Sequence, residues 1–165
     1  MDKELPTRDT GTAGSIGVIS DTHGLLRSEA LTELQGVDLI IHAGDVGDPE
    51  ILAALGEIAP VRAVRGNTDL ADWARSLPLT DVVEWGGLTF YVLHDLGELD
   101  LDPAASGLRG VISGHTHRPS LSEDNGVLFL NPGSAGPRRF DLPATVARIE
   151  IQAADVNVNI IELEV

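Results

Sequence analysis

VDLIIHAGD, residues 37–45, is the stretch on which the fold turns. Its centre, Leu39-Ile40-Ile41, is a short apolar run without alternation. Such a run fits a strand buried on both faces, as in a parallel sheet. The run ends abruptly in Gly44 and Asp45. Upstream, SIGVIS (15–20) is a second run of this kind and ends at Asp21. Downstream, VRAVRGN (61–67) is a third and ends at Asn67. Between the first two lies RSEALTELQG (27–36), with apolar Ala30, Leu31 and Leu34, which predicts a helix capped by Ser28 and closed by Gly36. Between the second and third, PEILAALGEIA (49–59) predicts a helix with Pro49 at its first position and Asp48 as its cap. This alternation over residues 15–67 predicts βαβ units and a parallel sheet.

The second half reads differently. DVVEW (81–85) and LTFYVLH (88–94) flank Gly86-Gly87, a two-residue hairpin. LDPAASGL (101–108) is expected to form a short helix, and GVISGHTH (110–117) a strand followed by a loop. Residues 120–134 predict a hairpin turning at Asn125-Gly126, and residues 145–165 two further antiparallel strands. The expected fold class is therefore α/β: two packed mixed β-sheets flanked by helices, a parallel half meeting an antiparallel half. Residues 1–14, polar and rich in Gly and Thr, are expected to be a disordered leader, and 15–165 one domain.

Composition narrows the function classes. With 165 residues, 42% of them hydrophobic and 22% charged, the chain can bury a core without staples. It has no cysteine, which excludes disulfides, thiolate metal sites and thiol chemistry. The net charge of −15 repels polyanions, so extended nucleic acid is not an expected partner. No apolar run reaches the ~18 residues of a membrane span and the N-terminus lacks a secretory pattern, so a cytoplasmic, membrane-free protein is expected. The C-terminal strands leave self-association open.

Each apolar strand ends in unusual polar residues: Asp21 and His23, then Asp45, Asn67, His94, and finally His115 and His117. The carboxyl ends of strands form the ligand crevice of open α/β sheets, so these clusters should converge. Imidazole nitrogens and hard oxygens without sulfur suit Mn, Fe, Zn, Ni or Co. Seven such groups exceed one tetrahedral ion and fit two ions sharing a carboxylate. In extended chain, the i, i+2 pairs of DTH and HTH would leave the backbone on one side. Glycines 24, 44, 66 and 114 are expected to let the backbone turn sharply beside the site.

The series D-x-H, G-D, G-N, a lone His and G-H-x-H, with the further stretch NPGS (131–134), resembles the calcineurin-like metallophosphoesterase family, and its compact bacterial and archaeal phosphodiesterase branch in particular. The resemblance covers residues 15–165. It implies that Asp21, His23 and His117 hold a first metal, that Asn67, His94 and His115 hold a second, and that Asp45 bridges them. It implies two divalent transition-metal ions, manganese first, with Ni, Zn, Fe or Co as alternatives. It implies hydrolysis of a small phosphoester, a diester foremost, by a hydroxide shared between the ions, with Asp45, Asn67, His94 and His115 catalytic. A phosphomonoesterase or nucleotide pyrophosphatase is the alternative within the class. The alternative outside it is a non-catalytic scaffold, as in the small subunit of the retromer coat, which shares this fold but has lost ligands.

Two departures matter. Many members place His directly after the motif Asn as a proton donor, whereas here Thr68 follows Asn67; the small branch usually lacks that His too. Asp95 follows His94, where Gly is frequent. Of the remaining polar residues, His42 is expected to be buried and hydrogen-bonded, and Asp69 either to support the site or to cap a helix near LADWA (70–74). Arg138 and Arg139 are candidate phosphate forks. Ser134 has no spare His–Asp pair and is expected to make a turn, while Trp73, Trp85 and Phe140 are expected by default to pack in the core or a hairpin, with a pocket rim as the alternative.

Overall fold

Strand β1 (Gly14–Ile19) alternates its contacts: Ile16 and Val18 face one way, Ile19 the other. The same period-2 division recurs in β2 (Leu39–His42), where Leu39 and Ile41 oppose Ile40. Both faces of these strands are therefore buried, which is why they read as continuous apolar runs. The computed structural model describes residues 13–165. Residues 1–12 of the expected leader lie outside the described residues, and Gly14 already belongs to β1.

The first sheet has the order β10-β9-β1-β2-β3, with β3 at Val61–Ala63, β9 at Thr145–Gln152 and β10 at Asp155–Glu162. β1, β2 and β3 are parallel, and β9 and β10 continue the sheet antiparallel. The second sheet has the order β4-β5-β6-β8-β7: β4 (Thr80–Trp85), β5 (Leu88–Leu93), β6 (Gly110–Ile112), β7 (Ser120–Asp124) and β8 (Val127–Asn131). Here β5, β6 and β8 are parallel and the two hairpins antiparallel. Both sheets are mixed, so the parallel and antiparallel pairings do not divide at the middle of the chain. The core between the sheets joins Ile16, Ile41 and Ile149 of the first to Trp85, Phe90 and Ile112 of the second.

Helices α1 (Ser28–Glu33) and α2 (Pro49–Gly56) cover the outer face of the first sheet through Ala30, Ile51 and Leu55. Asp48 caps α2 as expected, accepting a hydrogen bond from the Glu50 N–H at 2.9 Å. Ser28 does not cap α1: it is the first helical residue, and the cap position is Arg27, without a side-chain cap bond. Among the described residues, no α-helix packs on the outer face of the second sheet. Residues 101–108 form turns rather than the expected helix, and Leu99, Leu101 and Leu108 cover Tyr91 and Val111 there. Pro103 and Gly107 (φ 73°) account for this, since the stretch is too short and too interrupted to propagate a helix. Among the described residues, no helix is long and apolar enough to cross a membrane.

Candidate metal centre

The seven polar residues from the strand ends converge at the edge shared by the two sheets. β1 delivers Asp21 and His23, β2 Asp45, β3 Asn67, β5 His94 and β6 His115 and His117. Their functional atoms form one continuous network. His23 Nε2 lies 3.1 Å from His117 Nε2, and His117 Nε2 lies 3.3 Å from Asp21 Oδ1. His94 Nε2 lies 3.2 Å from Asp45 Oδ2 and 3.0 Å from Asn67 Oδ1. His115 Nδ1 closes the chain, 3.1 Å from the same Asn67 oxygen. Two compact groups of ligand atoms result, Asp21–His23–His117 and Asp21–Asp45–His94. Asp21 belongs to both. Asp45 Oδ2 also stands between two imidazoles, 3.7 Å from His23 Nε2 and 3.2 Å from His94 Nε2.

Each carboxylate is tethered by one oxygen and open at the other. Asp21 Oδ2 accepts from the Ser20 hydroxyl (2.6 Å) and the His115 N–H (3.0 Å). Asp21 Oδ1 is fully buried and, like His117 Nδ1, has no hydrogen-bond partner among the described residues. Asp45 Oδ1 accepts from the Thr68 N–H at 2.9 Å, which leaves Oδ2 facing the histidines. His94 donates its Nδ1 proton to the Ala43 carbonyl at 2.7 Å, so the Nε2 lone pair points at the oxygens of Asp45 and Asn67. Lone pairs turned on lone pairs, around a buried oxygen without a donor, are what a cation relieves. The donor set therefore fits divalent metal.

A proton on His94 Nε2 can take the place of a cation against Asp45, and the shifts follow from that competition. Burial alone would raise the Asp45 carboxyl, but hydrogen bonds from His94 and the Thr68 amide hold it well below the usual carboxylate range. Burial opposes Asp21 in the same way, and His23 and Ser20 hold it down. Burial would lower His94, and its bonds to Asp45 and the Ala43 carbonyl overcome this and raise it. His117 is lowered by burial despite the nearby Asp21, with the Arg139 charge adding to the effect.

The backbone reaches this arrangement by an unexpected route. Asp21 (φ 54°), His23 (φ 45°), Asp45 (φ 55°), His115 (φ 72°) and His117 (φ 62°) are all left-handed. The DTH and HTH pairs face one site, but from kinked rather than extended chain. Gly66 and Gly114 are not sharp-turn residues either, since neither has positive φ. Their lack of a Cβ is what matters. A Cβ on Gly66 would collide with the Asp45 carboxylate and amide, and one on Gly114 with the Ser20 hydroxyl and Asp21.

Supporting residues lock these loops. His42 is buried, accepts from the Gly44 N–H through Nδ1 (3.1 Å) and meets Thr22 Oγ1 at 3.0 Å through Nε2. Burial pushes its pKa down to about 4, so it stays neutral. Asp69 does not cap the 3₁₀ turn at Asp72–Ser76, whose cap position is Ala71. Its carboxylate accepts from the N–H groups of Val46 (3.2 Å), Gly47 (3.1 Å) and Gly66 (2.9 Å), joining the Asp45 loop to the Asn67 loop. Asp69→Ala is expected to destabilise the protein by roughly 3 kcal/mol or more, because three amides beside the site lose a charged acceptor. Urea unfolding measures this, and a loss under about 1 kcal/mol would contradict the tether.

Some supports had little sequence signal. Ser20 is a small residue at a strand end, and nothing in its neighbours marks it. NPGS does carry a signal. Asn131 Nδ2 donates to the Gly114 carbonyl (2.9 Å), and the Ser134 hydroxyl donates to the Asp21 carbonyl (2.8 Å). Ser134 thus supports a turn, as expected. Trp85 is in the core and Trp73 packs beneath the helices, but Phe140 is 95% exposed, contrary to its expected packing. Arg138 bonds the Leu142 carbonyl at 3.3 Å, while Arg139 acts on His117.

A calcineurin-like phosphoesterase superfamily domain matches residues 15–154. The chain belongs to that superfamily. A probable metallophosphoesterase of Methanocaldococcus jannaschii is 41% identical over 132 residues, covering 72% of this chain and 67% of that protein. A phosphodiesterase of the same organism is 30% identical over 136 residues, covering 72% and 82%. Vacuolar protein sorting 29 from Cryptosporidium parvum shares the fold, with a TM-score of 0.74 at 23% identity over 92% of this chain and 98% of that one.

Proposed function

We propose that this protein is a phosphodiesterase that works with two divalent transition-metal ions and acts on a small phosphoester. Asp21, His23 and His117 would hold one ion, Asn67, His94 and His115 the other, with Asp45 between them. The observation that carries the reading is the pair of buried carboxylates, each with one oxygen tied down and the other turned on the imidazoles. Bound divalent ions supply Lewis-acid charge for a phosphate and acidify a water toward a pKa of about 7. The chain's own residues supply orientation. The Ala43 carbonyl fixes the His94 tautomer, the amides of Thr68 and His115 fix the two carboxylates, and Asn67 spaces His94 from His115. The relative named as a phosphodiesterase supports the diester over the monoester or pyrophosphate alternatives.

The fold likeness to vacuolar protein sorting 29 supports a second reading, a scaffold without turnover. The experiment that separates them begins with protein stripped by EDTA. Mn, Ni, Zn, Co, Fe or Mg is then added in turn, with an aryl phosphodiester and the matching monoester as substrates. Metal-dependent turnover favouring the diester is expected, with manganese the first ion to try. Absence of turnover with every ion, despite tight binding of two per chain, would favour the scaffold.

A further inference from the structure

A cavity of about 520 Å³ opens beside the centre, with Asn67, His94 and His115 in its lining. Its wall carries Arg65, two residues before Asn67 in the chain. Arg65 is half-buried, and among the described residues its guanidinium makes no hydrogen bond or ion pair. The guanidinium groups of Arg118 and Arg139 likewise make no hydrogen bond or ion pair among the described residues, but neither lines this cavity, and the chain holds 26 acidic residues against 11 basic ones. Arg62 pairs with Asp81, Arg109 with Glu123 and Arg148 with Glu150. Asp95, Glu98 and Asp100 line the same cavity, yet Arg65 meets none of them. The backbone holds the residue in place through the Arg65 N–H, which donates to the Pro78 carbonyl at 2.8 Å. A planar fork of donors, unpaired beside the proposed phosphoester site, matches the non-bridging oxygens of a phosphoryl group.

We propose that Arg65 is a substrate-binding residue that takes a non-bridging phosphate oxygen from the cavity side of the centre. The proposal rests on the phosphoesterase reading. It also bears on substrate class. With Arg65 spent on the phosphate, the rest of the cavity presents Asp95, Glu98 and Asp100, which repel a second anionic group. The substituent that fills it is a neutral or cationic alcohol, so diester monoanions bind better than nucleoside polyphosphates.

The test compares wild type, Arg65→Met and Arg65→Lys, with Arg75→Met as a surface control, since Arg75 is exposed and pairs only with Asp72. Steady-state hydrolysis of an aryl diester by manganese-loaded protein is one readout, and calorimetric binding of inorganic phosphate to the same protein is the other. Arg65→Met is expected to raise KM and weaken phosphate binding by about 10–100-fold, with kcat and thermal midpoint less affected. Arg65→Lys should recover part of both, and Arg75→Met should change neither. An active wild type with KM and phosphate affinity unchanged in Arg65→Met overturns the role of Arg65 alone. A wild type idle with every metal overturns the phosphoesterase reading, and this proposal with it.

Discussion

Asp45→Asn is expected to cut manganese-dependent diester hydrolysis by at least about 10³-fold while the protein remains folded. The size follows from where the charge sits. Asp45 Oδ2 faces His23 and His94 together, so in the proposed centre it is the negative group common to both ions. Removing one well-placed electrostatic partner already costs about 10²–10³-fold in rate, and this one serves two cations. The fold should tolerate the change for a backbone reason. Asp45 is left-handed (φ 55°), a region that Asn enters readily, and the amide oxygen of Asn can still accept from the Thr68 N–H. Parallel measurements of kcat/KM, bound metal per chain and urea unfolding separate the outcomes. Activity within tenfold of wild type, with two ions still bound, would remove Asp45 from the mechanism.

The left-handed residues have a wider meaning for the site. Five of the seven candidate ligands adopt φ between 45° and 72°, and all five are Asp or His. A left-handed non-glycine residue costs on the order of 1 kcal/mol, and Asp, Asn and His bear it best. The residue types that suit the metal are therefore also those that suit the kinks. Substitution by Ala tests two things at once at these positions, whereas Asp→Asn isolates the charge.

Much of the fold was legible because its signals are local. Gly86-Gly87 and Asn125-Gly126 announce their hairpins, and Pro49 after Asp48 announces α2. The candidate site was legible because strand-end polar residues are few and their types share one chemistry. What was not legible depends on tertiary contact. That β9 pairs with β1 across about 130 residues has no local trace. Asp69 reads equally as a helix cap or as a support of the site, because Asp before a short helix is often a cap, and only the fold brings the three amides that it accepts from. The kinks at Asp21 and His115 were hidden because i, i+2 spacing fits extended chain equally well. Arg65 was passed over for Arg138 and Arg139, since only the folded chain distinguishes a fork facing the cavity from one bonded to a loop carbonyl.

Aryl diesters are expected to be hydrolysed faster than alkyl diesters by roughly 10²–10⁴-fold, the contribution a positioned proton donor makes. Thr68 is the reason. It follows Asn67 directly, its amide is committed to Asp45, and its hydroxyl does not titrate in the working range. The histidines nearest the cavity are occupied: His94 with Asp45 and Asn67, His115 with Asn67. Asp95 stands 3.9 Å from His115 Nε2, at the edge of contact with it. A nitrophenolate leaves without protonation, whereas an alkoxide does not. The rate should therefore fall steeply as the leaving-group pKa rises across a series of phenyl and alkyl diesters. Thr68→His, which places an imidazole at this position, should flatten that dependence mainly by accelerating the alkyl esters. Equal rates for alkyl and aryl esters in the wild type would mean that another group, or the substrate itself, supplies the proton.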